Sequence, residues 1–330
     1  MSLTVRFHEF GGPDVLTIED LPVPEPGPGE VLVRVETIGL NRAEVNFRKG
    51  RYIEQPRELP SLIGYECAGT VESAGPGVTG LAAGQPVSVV PAFSMREYGV
   101  YGERVIVPAA AVVVRPERVD ATTGAAAWMA LLTVYGALVD IGGIRAGDAV
   151  VINAASSSVG LSAIRLVNHV GGQPIAVTRS SAKRDELAGF GAAAVVATDK
   201  EDLVEGVLEA TGGAGARFVF DAVAGPGVRD LARTVAPGGL HVIHGTLSGQ
   251  PTPFPGVERM SAYSMRSYTL FEITKDPARL EKAKGFITAG LVSGALAPVV
   301  DRTFPFSGIA DAHRYLETGT QVGKVVVNVG

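Results

Sequence analysis

The sequence predicts a two-domain α/β protein in which a β-rich domain is split around an inserted doubly wound parallel sheet. Three observations predict it. Up to about residue 124, β-branched runs alternate with turns rich in Gly and Pro. After about residue 125, short apolar strands alternate with segments of helical periodicity. Near the end, the strand-like run 323–329 is suited to rejoin the first domain. The expected division is 1–124 plus 271–330 for the split domain and 125–270 for the insert.

In chain order, GEVLVRVETIGL (29–40), CAGTVESAG (67–75), GQPVSVV (84–90) and ERVIVPAAAVVV (103–114) read as strands. The segment 22–30 is too proline-rich for either regular element. Residues 124–143 read as a buried helix, because Asp140 and several glycines interrupt an otherwise apolar run. AVVINA (149–154), QPIAVT (173–178), AAVVAT (193–198), ARFVFDAV (216–223) and LHVIHG (240–245) are the strands of the insert. SAKRDELAGFG and DLVEGVLEATGG between them have helical spacing with Gly at their ends. A further helix is predicted over 276–294, with Asp276 as N-cap and Pro277 in the first turn.

Composition bounds the function. A chain of 330 residues exceeds one ordinary core, and 46% hydrophobic with 19% charged residues suits a folded protein rather than a disordered one. The net charge is −5 and no Lys/Arg block occurs, so neither nucleic acid nor an anionic membrane surface is an expected partner. The N-terminal residues are too charged for a signal peptide, and no apolar run reaches the roughly 20 residues of a membrane span. A cytoplasmic location is therefore expected. Cys67 is the single cysteine, which excludes an intrachain disulfide and a Cys-rich zinc site.

The segment VVINAASSSVGLSAIRL carries the main functional signal. A strand ends in a small-residue turn and a helix follows at once, the arrangement that cradles a dinucleotide pyrophosphate. Ala155, Ser157 and Gly160 occupy the three positions usually held by glycine, and all are small. Ser156, Ser157 and Ser158 add hydroxyls beside the helix N-terminus, where amide N–H groups favour an anion. The same turn would also suit an N-capping serine that opens an ordinary buried helix. The next strand ends in Thr178, followed by Arg179, Ser180 and Lys183, with no acid to accept the ribose hydroxyls of NAD. Those cations suit the 2′-phosphate of NADP(H), although they equally suit a solvated basic start to the next helix.

With these residues in hand, the chain resembles the medium-chain dehydrogenase/reductase superfamily, and most of all its zinc-independent quinone oxidoreductase branch. The segments GPDVLTIEDLPVPEPGPGEVLVRVETIGLNRAEVNFRKGRY, LPSLIGYECAGTVESAGPGV, AASSSVGLSAIRL, FVFDAVAG, APGGLHVIHG and GKVVV carry the resemblance over nearly the full length. It implies a GroES-like catalytic domain split around a Rossmann domain. Where zinc-dependent relatives have their metal ligands, this chain has Asn41, Tyr65 and Met129, which are poor zinc ligands. Glu66 remains, but one carboxylate does not make a site.

The resemblance implies roles for particular residues. Asn41 would donate to a substrate carbonyl or order a water there, or else simply close the strand as a turn residue. Tyr52 matches a position tied to proton delivery in enoyl thioester reductases, or is a loop tyrosine without a role. Tyr65 is a further pocket residue. Thr133, Val159, Val223, His244, Gly245, Leu270, Phe271 and Lys324 fall where relatives approach the cofactor. His244 is expected to be satisfied by neighbouring backbone. The implied activity is an NADPH-dependent, metal-free transfer of hydride to a small quinone or enone substrate. An enoyl reductase acting on a carrier-bound intermediate and a non-catalytic NADPH-binding sensor are the alternatives. A homodimer paired through RSYTLFEI (266–273) is also implied.

Overall fold

A computed structural model describes residues 1–256 and 263–330. The chain forms two units, Met1–Met129 with Ala297–Gly330, and Ala130–Leu296. Part of the segment 247–265, expected to line a pocket, lies outside the described residues.

The first unit opens with an antiparallel hairpin, β1 (Ser2–Phe7) and β2 (Leu16–Leu21). β3 (Glu30–Gly39) leads into α1 (Arg42–Arg48), and β4 (Glu66–Ala74) pairs back antiparallel on β3. β5 (Pro86–Val89) adds to β4. The run 103–114, expected as one strand, is two. β6 (Arg104–Pro108) pairs with β3, and β7 (Val112–Val114) pairs with β5. Pro108 cannot extend a hydrogen-bonded ladder, and the three alanines after it form a helical turn that redirects the chain. α2 (Ala121–Ala126) starts at Asp120, whose carboxylate accepts the Thr123 N–H at 2.7 Å. α3 (Trp128–Val134) then carries the chain onward, and a wide π-type turn over Tyr135–Ile141 follows. The apolar segment 124–143 is therefore helical, as its composition predicts, but in successive pieces.

In the second unit, β8 (Ala149–Ile152), α4 (Ser158–His169), β9 (Gln173–Thr178), α5 (Arg184–Gly189) and β10 (Ala194–Ala197) form one wing. α6 (Leu203–Ala210), β11 (Ala216–Asp221), α7 (Val228–Arg233), β12 (Val235–Ile243) and β13 (Ser264–Ser267) form the other. All strands are parallel, in the order β10-β9-β8-β11-β12-β13. The order reverses between β8 and β11, and doubly wound folds bind their ligands at the strand C-termini beside such a reversal. Val151, Ile175, Val177, Val196 and Val219 pack on this sheet against Val207 and Leu231 of the helices. Burial on both faces is why these strands read as continuous apolar runs.

Two boundaries differ from expectation. Only Arg266 and Ser267 of the run 266–273 belong to a strand, the edge strand β13, and α8 (Phe271–Thr274) takes its end. The chain also returns to the first unit at Ala297 rather than 271. α9 (Pro277–Val292), capped by Asp276 through the N–H groups of Ala278 and Arg279, stays in the second unit. Arg279 fixes it there through Asp140 at 2.9 Å and the Glu272 carbonyl at 2.8 Å. Back in the first unit, β14 (Val300–Pro305), α10 (Ile309–Thr318) and β15 (Lys324–Asn328) complete the chain. β15 runs parallel to β14 and antiparallel to β3, so the last strand does rejoin the first sheet.

Candidate active site

The first unit gathers a buried polar cluster around the start of β15. Lys324 is 1% exposed, and its ammonium donates to Asn41 Oδ1 at 2.5 Å and to Glu66 Oε1. The other Glu66 oxygen accepts the Met129 N–H at 2.8 Å. Lysine can only donate, so the Asn41 amide must turn its oxygen toward it. Its Nδ2 then faces inward, to Gly39 O at 3.3 Å and Glu44 Oε1 at 3.2 Å. The expectation that Asn41 donates to a substrate carbonyl is thereby corrected, since both amide hydrogens have protein acceptors. Lys324, which the resemblance puts near the cofactor, is held by Asn41 and Glu66.

Glu44 ties the cluster to the strand that follows. Its Oε1 also accepts the Tyr65 N–H at 3.2 Å, and its Oε2 is buried without a partner among the described residues. Burial pushes its carboxyl up to about 7, and the Lys324 ammonium opposes a larger rise. Asn41 is the N-cap residue of α1 and Glu44 lies three residues on, the spacing of a capping box. That spacing was the legible trace of this link. Gly39 has no room for a side chain, because a Cβ would run into the Ala125 carbonyl.

Beside the cluster runs a row of aromatic rings. Tyr52 lies edge-on to Phe47 at 6.3 Å and to Tyr65 at 6.2 Å between ring centroids, and Tyr65 meets Phe93 at 5.6 Å. Burial pushes both phenols well above the usual tyrosine range. Both therefore stay protonated at neutral pH. Tyr52 is half-buried in this row rather than loose in a surface loop.

In the second unit the turn after β8 forms with Ala154 at φ 54°. Ser157 is the N-cap of α4 and its Oγ accepts the Gly160 N–H at 3.0 Å. A Cβ on Gly160 would lie 2.5 Å from the Ala155 carbonyl, so this position must be glycine for the helix to pack on the turn. Ser156 Oγ accepts from Lys183 Nζ at 3.0 Å, which brings the ammonium from the end of β9 to the turn. Ser158 and Val159 open α4 and are partly exposed. Thr178 ends β9, and its hydroxyl accepts the Ser180 N–H at 3.3 Å. Arg179 is exposed, with no hydrogen bond or ion pair among the described residues, whereas Arg184 is engaged by Glu201 and the Val195 carbonyl.

The remaining predicted positions are more scattered. His244 stacks on Phe220 at 3.9 Å between centroids, and its Nε2 is buried without a partner among the described residues. Backbone hydrogen bonding offsets only part of the effect of burial, which lowers the ring to about 4, so it is neutral. Val223 and Gly245 lie just past β11 and β12. Thr133 is buried on α3, and Leu270 and Phe271 begin α8.

Comparison with known proteins gives this geometry a family. Residues 27–117 match the family described as alcohol dehydrogenase GroES-like domain, and residues 190–327 match zinc-binding dehydrogenase. A quinone oxidoreductase from Pseudomonas aeruginosa is 30% identical over 333 residues, covering 99% of each chain. The chain belongs to the zinc-independent quinone oxidoreductase branch of the medium-chain dehydrogenase/reductase superfamily. A 2-haloacrylate reductase from a Burkholderia species is 27% identical, again covering 99% of each chain. The structure of Escherichia coli quinone oxidoreductase complexed with NADPH superposes with a TM-score of 0.91 at 26% identity, covering 99% of this chain and 100% of that one.

One matching description names zinc, and the residues of this quinone oxidoreductase family member do not fit that ion. Amide, phenol and thioether side chains stand where soft or imidazole donors would be needed. Glu66 already holds an ammonium on one oxygen and an amide N–H on the other. Among the described residues no group of three His, Cys, Asp or Glu is arranged for a metal. No helix among them is long and apolar enough to cross a membrane.

Proposed function

We propose that this protein reduces a quinone or an α,β-unsaturated carbonyl with NADPH, polarising the acceptor through neutral hydrogen-bond donors. It is an NADPH-dependent reductase; the acceptor class is the proposed part. The second unit's residues fit the cofactor. A tight small-residue turn opens α4, a lysine reaches back to that turn, and an unpartnered arginine follows a strand that ends without a carboxylate. Ser156, Ser157, Ser158, Val159 and Gly160 would hold the pyrophosphate, with Thr178, Arg179, Ser180 and Lys183 at the 2′-phosphorylated ribose. Thr133, Val223, His244, Gly245, Leu270 and Phe271 would flank the remainder. Bound NADPH supplies a hydride.

The protein's own task is then to stabilise charge on the acceptor oxygen and to complete protonation. Tyr52 and Tyr65 suit it, because two raised phenols donate hydrogen bonds at neutral pH and do not ionise. An enolate or hydroquinone oxygen makes a milder demand than an alkoxide, which would call for a Lewis acid. Asn41 and Lys324 act behind these groups by fixing the floor of the cluster.

The observation that carries the reading is Lys324 paired with Glu66, beside two neutral phenols, where zinc-dependent relatives would need a metal-binding set. A homodimer joined through the exposed edge of β13 belongs to the same reading.

The test is an acceptor panel of small quinones, enones and enoyl thioesters, run with NADPH and with NADH while nicotinamide absorbance is followed. Oxidation of NADPH by quinones or enones is expected. Turnover restricted to thioesters would move the assignment to a dedicated enoyl reductase, and tight binding without turnover on any acceptor would refute it.

A further inference from the structure

Two residues among those described hold a positive φ without being glycine: Ala154 at 54° and Ala224 at 56°. Ala224 combines this with ψ −150°, a region almost reserved for glycine. Neither is at a random place. Ala154 follows β8 and Ala224 follows β11, the adjacent strands between which the sheet order reverses. Such backbone persists only where its surroundings over-determine it.

The surroundings converge on one carboxylate. Asp221, fully buried at the end of β11, accepts from Asn153 Nδ2 at 2.9 Å and from the Val223 N–H at 2.8 Å, both on Oδ1. The Ala224 N–H reaches both of its oxygens at 3.2 Å. With its Nδ2 held by Asp221, the Asn153 amide presents Oδ1 to the Ala154 N–H at 2.9 Å. His241 Nε2 lies 3.4 Å from the second oxygen. We infer that Asp221 is a positioning residue that sets the cofactor-binding turn, holding Ala224 directly and Ala154 through Asn153. Burial alone would raise its carboxyl, but His241 and the N–H groups of Val223 and Ala224 outweigh that and keep it below the usual range.

This inference rests on the proposed reading of the turn as an NADPH site. A carboxylate that only stabilised the fold would show the same bonds, so the test must read shape. Asp221→Asn keeps the volume but puts an NH2 group among neighbours that donate, at Asn153, Val223, Ala224 and His241. NADPH affinity is titrated by nicotinamide fluorescence on full-length protein shown to be folded by circular dichroism. Asp221→Asn is expected to weaken binding roughly tenfold to hundredfold. Adding Ala154→Gly and Ala224→Gly should recover most of that loss, because glycine adopts these angles without help.

Asn153→Ala provides a second route that leaves the Asp221–His241 pair in place. It should weaken binding, and Ala154→Gly alone should restore it. Wild-type affinity in Asp221→Asn, or a loss that glycine does not recover in either background, would overturn the inference while leaving the cofactor site standing. A wild-type protein that fails to bind NADPH would overturn the underlying reading, and this inference with it.

Discussion

Glu66 in the first unit and Asp221 in the second are both fully buried carboxylates, and they are used differently. In the first unit Glu66 is matched by the Lys324 ammonium, and the pair fixes Asn41 and the backbone at Met129. In the second, Asp221 is surrounded by backbone and amide N–H groups with His241 at 3.4 Å, and it fixes two strained alanines. The first arrangement builds a floor of fixed charge beneath neutral donors. The second builds a backbone shape. The contrast fits a division of labour in which one unit handles the acceptor and the other handles the cofactor.

The largest expected effect comes from breaking the charge pair. Lys324→Met leaves Glu66 buried without its cation and should cost about 3–5 kcal/mol of folding stability. Adding Glu66→Gln should recover a substantial part, measured by urea denaturation; equal loss in both variants would show that the pairing itself matters little. Next is the chemistry of the phenols. Tyr52→Phe should lower turnover with an enone by roughly a hundredfold while leaving the dissociation constant for NADPH unchanged. Unaltered turnover would remove Tyr52 from the reaction.

A smaller change is expected on the cofactor side. Arg179→Ala with Lys183→Ala should weaken NADPH by about 1.5–3 kcal/mol and NADH far less. Equal losses for the two nucleotides would contradict recognition of the 2′-phosphate. The last effect is a slope against pH. The Glu44 carboxyl is raised from 4.5 to about 7 in the folded protein, so the folded state holds this proton more tightly than the unfolded chain. Its contribution is fully present below 4.5 and is lost as pH climbs through about 7, by at most about 1.4 kcal/mol per pH unit. Glu44→Gln should flatten the stability profile over that window, and an unchanged profile would place the proton elsewhere.

Much of this was written in local patterns. The strands of the inserted sheet are buried on both faces, so their apolar runs and glycine breaks were legible, and Asp276 with Pro277 marked the start of α9. The turn 154–160 could be recognised because helix packing demands Gly160, whatever replaces the other glycines. The run 103–114 misled, because Pro108 and three alanines interrupt two strands of similar composition. Long-range pairings were less legible. Nothing near Lys324 announces that its ammonium meets Asn41 and Glu66, since β15 and β3 come together only through the sheet. Asp221 reads as a polar residue ending an apolar strand, and its hold on Asn153 depends on β8 lying alongside β11. Arg179 and Lys183 cannot be told from the neighbouring Arg184 by residue type alone; partners separate them, because Arg184 is tied to Glu201.

The account turns on where the hydride goes. NADPH deuterated at the transferable position of its nicotinamide C4, incubated with the protein and a simple enone after exhaustive chelation, gives a product whose label can be located by mass spectrometry and NMR. One deuterium on the β-carbon, with the carbonyl intact and the rate unchanged by chelation, is the predicted result. Deuterium on the carbonyl carbon of an alcohol product, or turnover that appears only when zinc is restored, would contradict it.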